Sequence, residues 1–174
     1  MLIRLLRFNT YLLVATMLAL ATGCQSDGKK KSSKKDESSL RIYIQTNPDG
    51  SDRNAPVLIG RERPFQLNVE KKAFLTEFDI EQAAVLDVLG GFSISVQFNK
   101  QGTWLLEQYT TANKGKQMAI AAEFGELRWL AAPAITKRLG DGLLVFAPDA
   151  TREEAERIVR GLNRVAEQVK KGKK

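Results

Sequence analysis

The feature that most constrains this chain is a stripe near its C-terminal end. Ala155, Ile158, Val159, Leu162, Val165, Ala166 and Val169 recur at spacings of three and four, which puts them on one face of a helix. Thr151 and Glu154 form the signature of a capping box, so the helix is predicted to start there. Arg152, Glu153, Glu156, Arg157, Arg160 and Arg164 cover the opposite, wet side. Lys170, Lys171, Lys173 and Lys174 suit the negative end of the helix dipole or a basic tail over 171–174. Such a helix draws most of its stability from an apolar surface to lie on.

Alternating segments supply that surface. Phe92, Ile94, Val96 and Phe98 share one side of a strand, with Ser93, Ser95 and Gln97 opposite. Phe65, Leu67 and Val69 alternate in the same way, and Leu40 to Gln45 more weakly. Further short strands are expected at Pro56–Ile59, Val85–Val88, Gln117–Phe124, Leu127–Ile135 and Leu143–Phe146. Turns are marked by Asn47-Pro48-Asp49-Gly50, Gly90-Gly91, Gly125-Glu126 and a hairpin-like Asp141-Gly142. Asn99 caps a helix to about Asn113, whose apolar side is Leu105, Leu106, Tyr109 and Ala112. A short helix is also predicted over Thr76–Ala84, capped by Thr76 with Asp79. The sum is a single α+β domain over 40–170: a two-layer sandwich of an antiparallel or mixed sheet with two main helices.

The N-terminal segment reads differently. Arg4 and Arg7 precede an apolar run from Tyr11 to Ala21, and small residues lead into Cys24. This is the layout of an export signal over 1–23, with an apolar stretch too short for a bilayer span of about 20 residues. Leu20-Ala21-Thr22-Gly23-Cys24 is similar to the lipobox of bacterial lipoproteins, which implies a lipid on Cys24, with palmitate among the chains expected. Gln25 in place of Asp points to an outer-membrane address facing the periplasm, in a host that has one. Residues 24–39 form a Ser- and Lys-rich tether with nothing to bury. Its Lys29, Lys30, Lys31, Lys34 and Lys35 are candidates for contact with anionic headgroups.

Several chemistries are excluded or left without support. The chain has no histidine and one cysteine, so no His-centred triad, ordinary zinc site or internal disulfide can be built. Of 27 Lys/Arg and 20 Asp/Glu, seven and three fall in residues 1–40, so residues 41–174 carry 20 against 17. That is too balanced for a nucleic-acid footprint. The glycine pairs lack the strand–GxGxxG–helix setting of a nucleotide site. Asp79, Glu81, Glu153 and Glu154 stand at helix starts, where capping explains them. No enzyme activity, cofactor or metal is expected, and an envelope hydrolase is the least supported alternative.

From Pro56 onward a series of short motifs stands in order. Leu75-Thr76-Glu77-Phe78-Asp79-Ile80 with Ala83 comes first, then Phe98-Asn99 with Gly102. Thr110-Thr111-Ala112-Asn113-Lys114-Gly115-Lys116, Met118-Ala119-Ile120 and Ala131-Ala132-Pro133-Ala134-Ile135 follow. The series resembles the head subdomain of the first periplasmic region, P1, of the SecD protein-export subunit, best from Phe92 to Leu162. The family's Asp-Gly-x-Val hairpin is replaced by Phe124-Gly125-Glu126-Leu127-Arg128. The resemblance implies the head fold and a protein- or peptide-contacting surface, without the proton-linked work of SecD's membrane helices.

The segment Arg128 to Ile135 is the candidate for that surface, with Arg128, Trp129, Leu130, Pro133 and Ile135 named as contacts. It is apolar, and Pro133 suggests a sheet edge open to an added strand. Trp104 is the other candidate, since aromatics are enriched where partners bind. Packing inside the fold is the competing reading for both tryptophans. The expected function is a lipid-anchored, non-catalytic contact protein of the cell envelope; a structural or accessory subunit of an envelope complex is the alternative.

Overall fold

The computed structural model describes residues 37–172. Cys24, the expected export signal over 1–23 and Lys29, Lys30, Lys31, Lys34 and Lys35 therefore lie outside the described residues, as do Lys173 and Lys174. Eight strands and two main helices follow one another: β1 Ser39–Ile44, β2 Asn54–Ile59, β3 Phe65–Glu70, β4 Ile80–Val88, β5 Gly91–Phe98, α1 Lys100–Ala112, β6 Met118–Glu123, β7 Leu127–Ala131, β8 Leu143–Phe146 and α2 Arg152–Gly172. The α+β class and its two helices are as expected. The strands divide into two three-stranded sheets, β1-β6-β7 and β4-β5-β8, and a β2-β3 hairpin. Every strand pairing is antiparallel.

The main core lies where α2 and the inner faces of both three-stranded sheets meet, and Leu106 of α1 joins it. Ile158 and Leu162 of α2 pack there with Ile42 and Ile120 of one sheet and Ile94 and Val96 of the other. Burying each such side chain contributes about 1.5–3 kcal/mol. The middle strand β6 is buried on both faces. Met118, Ile120 and Ala122 join the main core, while Ala119 joins a second cluster with Ile59, Leu67 and Val69 of the hairpin.

The cap of α2 forms as predicted: the Thr151 N–H donates to Glu154 Oε2 (2.8 Å) and the Glu154 N–H to Thr151 Oγ1 (3.2 Å). Asn99 caps α1, accepting from the Gly102 N–H at 3.0 Å. Two glycines carry close approaches that the apolar pattern does not show. A Cβ on Gly102 would stand 2.8 Å from the Asp79 carbonyl oxygen, and one on Gly161 2.6 Å from the Ser38 amide nitrogen.

Five expectations are corrected. Thr76–Ala84 is not a helix. Asp79 does accept from the Thr76 N–H at 2.9 Å, but only a single 3-10 turn, Glu77–Asp79, results. From Ile80 the chain pairs with β5 along its length, and ladder bonds outweigh a local cap. Asp141-Gly142 is not a hairpin turn, because β8 pairs with β5 rather than with a strand just before it. Ser38 and Ser39, expected in the tether, belong to the fold instead: Ser38 is 3% exposed beneath α2, and Ser39 opens β1. The helix α2 also runs through Lys171 to Gly172, into the expected basic tail. On α1, Ala112 is exposed, and the buried face is Gly102, Leu106 and Thr110. Thr110 is accommodated because its hydroxyl donates to the Leu106 carbonyl (2.7 Å) and accepts from the Leu139 N–H (3.1 Å).

Candidate partner-contact site

A sheet edge exposes unpaired backbone donors and acceptors, and the outer strands of the two three-stranded sheets differ in what meets them. Beside β1, the Ile42 N–H donates to the Leu75 carbonyl and the Phe74 N–H to the Ile42 carbonyl, both at 2.9 Å. Beside β4, the side chain of Asn163 on α2 stands in for a strand. Its Oδ1 accepts from the Ala83 N–H (2.7 Å) and its Nδ2 donates to the Ala83 carbonyl (2.9 Å). Beside β7, the Asp149 N–H donates to the Leu130 carbonyl at 2.7 Å.

The β8 edge differs. The Phe98 N–H donates to the Gly142 carbonyl at 2.9 Å. Alternation along an antiparallel pair then turns Leu144 and Phe146 toward β5 and leaves the backbone groups of Leu143 and Val145 facing outward. The Leu143 N–H is taken by Asp141 Oδ1 at 3.1 Å. Among the described residues, no backbone hydrogen bond reaches Val145 from the outer side. A groove of about 260 Å³ lies along that side, between Pro133–Lys137 and Leu143–Val145. The side chains of Leu143 and Val145 are themselves exposed at 37% and 46%.

This arrangement redistributes the residues singled out in the sequence. Leu130 and Ile135 are 1% and 2% exposed, and belong to the core. Their apolar character serves packing, and their side chains are not offered as contact surface; Ile135 reaches the groove only as part of its wall. Arg128 is also committed inward. Its side chain is 12% exposed, pairs with Glu154 at 2.8 Å, donates to the Asp149 carbonyl at 2.5 Å and sits 5.5 Å from the Phe124 ring centre. Trp129 packs against Tyr43, ring centres 5.2 Å apart, in the cluster under the hairpin. Pro133 alone of that set lines the groove while partly exposed. Trp104 is 52% exposed and joins neither cluster.

The β7 edge is closed by a four-membered charge network. Arg61 from the β2–β3 loop donates through its N–H to Asp149 Oδ2 (2.6 Å) and through its guanidinium to Glu154 Oε2 (3.1 Å). Burial pushes the Glu154 carboxyl up; the Thr151 N–H bond and the charges of Arg128 and Arg61 outweigh that and hold it below its ordinary 4.5. Glu154 thus caps α2 and joins it to β7 and the hairpin at once.

The residues that sequence reasoning missed are Leu143 and Val145. Their short apolar run signals a strand, but nothing in it says which edge stays open. Among the described residues, no group of three or more His, Cys, Asp or Glu is placed to hold a metal. No described helix is long and apolar enough to cross a membrane.

Comparison with known proteins agrees with this architecture. The SecD subunit of the protein translocase of Rhodothermus marinus is 29% identical over 123 residues, covering 70% of this chain and 18% of that protein. A solved structure of SecDF, described as a membrane component that enhances protein export, matches at 21% identity with a TM-score of 0.54, over 73% of this chain and 62% of the other. SecDF in a super-membrane-facing form matches at 22% identity with a TM-score of 0.51, over 72% of this chain and 18% of the other. These two likenesses establish the shared fold. The chain therefore spans less than two thirds of each of these relatives. The family model of the SecDF P1 head subdomain matches residues 44–165, from the end of β1 to the buried turns of α2, and the chain belongs to that family.

Proposed function

We propose that this chain is a non-catalytic, lipid-anchored domain of the cell envelope that contacts extended polypeptide in protein export. The observation that carries the reading is the outer side of Val145 on β8, which no backbone bond among the described residues reaches and which a groove borders, in a fold of the SecDF P1 head family. An extended segment added there would pair its backbone with Val145 and set alternate side chains against Pro133 and Leu143. Cys24 carries the lipid, residues 1–23 are removed, and the lysines from Lys29 to Lys35 rest on anionic headgroups of the membrane surface. The periplasmic face of an outer membrane is the location favoured by Gln25.

The test is photo-crosslinking in intact cells, with the probe placed in turn at Val145 and at the remote, exposed Leu58. Crosslinks to exported polypeptides at Val145 and none at Leu58 are expected. Equal yields at both positions, or recovery of lipid alone, would overturn the proposal. Mass spectrometry of the natural product checks the anchor: an intact N-terminus or a free thiol at Cys24 removes that part.

A further inference from the structure

A second concavity, of about 630 Å³, opens where the start of β1, the 3-10 turn, the β6–β7 turn and α2 come together. Three carboxylates line it, Glu37, Glu77 and Glu123, and among the described residues no lysine or arginine does. Glu77 is the informative one. It is 9% exposed, and its Oε2 is buried with no hydrogen-bond partner. Removing a carboxylate from water without compensation is costly. Thr110, the buried hydroxyl of α1, is by contrast satisfied on both sides. That oxygen of Glu77 is thus a buried acceptor for which the described residues supply no donor.

The surroundings select the kind of cation. No three acidic groups among the described residues are placed to hold a metal ion. The pocket instead offers an exposed aromatic ring, Phe78, and the apolar wall of Val165 beside its carboxylates. An aliphatic stem against Val165, with an ammonium or guanidinium reaching Phe78 and the glutamates, matches each of these in turn. The chain as a whole carries a net charge of +7, so attraction of a cation here is local rather than global.

We propose that this pocket receives a lysine or arginine side chain of a polypeptide partner, as a contact additional to the β8 edge. The inference rests on the peptide-contact reading above. The experiment uses the full chain in detergent and two labelled peptides, acetyl-(Ala-Lys)4-amide and its norleucine counterpart, followed by fluorescence anisotropy at low salt. The lysine peptide is expected to bind at least tenfold more tightly than the norleucine peptide. Glu77→Gln and Glu123→Gln are each expected to remove most of that difference. Glu123 is exposed, so its variant separates loss of the site from loss of the fold.

A difference that survives both substitutions overturns the proposal. So does a rise in lysine-peptide affinity on changing Lys34 and Lys35 to alanine, because the occupant is then the chain's own segment just before Glu37. Crosslinking at Val145 without any lysine preference overturns the pocket and leaves the peptide-contact reading standing. Absence of both overturns the two together.

Discussion

β7 and β8 are both outer strands of three-stranded antiparallel sheets, yet the molecule treats them oppositely. Along β7, a backbone amide from Asp149 and the guanidinium of Arg128 close the edge, and Arg61 and Glu154 hold both in place. Along β8 the neighbouring chain, Pro133–Lys137, stands off and leaves a groove. An edge strand is an association hazard wherever it is not blunted. Of the four outer strands of the two three-stranded sheets, β1, β4 and β7 each meet specific bonds, while β8 keeps Val145 and a groove free for an added strand.

That contrast can be broken from either side. The largest effect is expected from Arg128→Ala, which removes the ion pair to Glu154, the bond to the Asp149 carbonyl and the contact with the Phe124 ring, leaving Glu154 with Arg61 and the Thr151 N–H. A loss of about 3 kcal/mol in unfolding free energy by urea titration is expected. A loss below about 1 kcal/mol would show that the backbone bond alone closes β7. Next, Asn163→Ala removes both bonds to Ala83 and opens the β4 edge, costing about 1–2 kcal/mol and adding concentration-dependent association on a sizing column.

A smaller effect concerns pH. The Glu154 carboxyl is held below 4.5 in the folded chain, so its contribution is complete above that value and is lost as pH falls through the folded value. Acid titration of thermal stability should show this fall, and Glu154→Gln should flatten it. The smallest change in stability is expected from Val145→Pro. It removes only an outward N–H from an edge strand and should cost less than about 1 kcal/mol, while abolishing crosslinks at β8. Crosslinking that persists in this variant would show that the groove is used without strand pairing.

Much of the fold could be read from particular residues. The Thr151–Glu154 box, the stripe from Ala155 to Ala166 and the alternation from Phe92 to Phe98 each depend on neighbours within a few positions, and each forms as predicted. Thr76–Asp79 shows the limit of local signals. The same kind of box forms, yet the chain beyond it becomes β4, because pairing with β5 was not encoded in that window. The candidate site was half legible. Pro133 is at the groove, but Leu130 and Ile135 proved to be core, since an apolar run looks alike whether it faces a partner or the interior.

By itself the sequence determined the α+β class, the helix caps, the apolar faces and the motif series that carries the family. Those properties follow from spacing and from bonds between close neighbours. Only the tertiary structure decided which edge remains open, that Asn163 stands in for a strand beside Ala83, and that Glu77 is buried without a partner. Each of these depends on groups far apart in the chain meeting, or failing to meet, at hydrogen-bond distance. Periodicity can mark a face as apolar, but it cannot say what will lie against it.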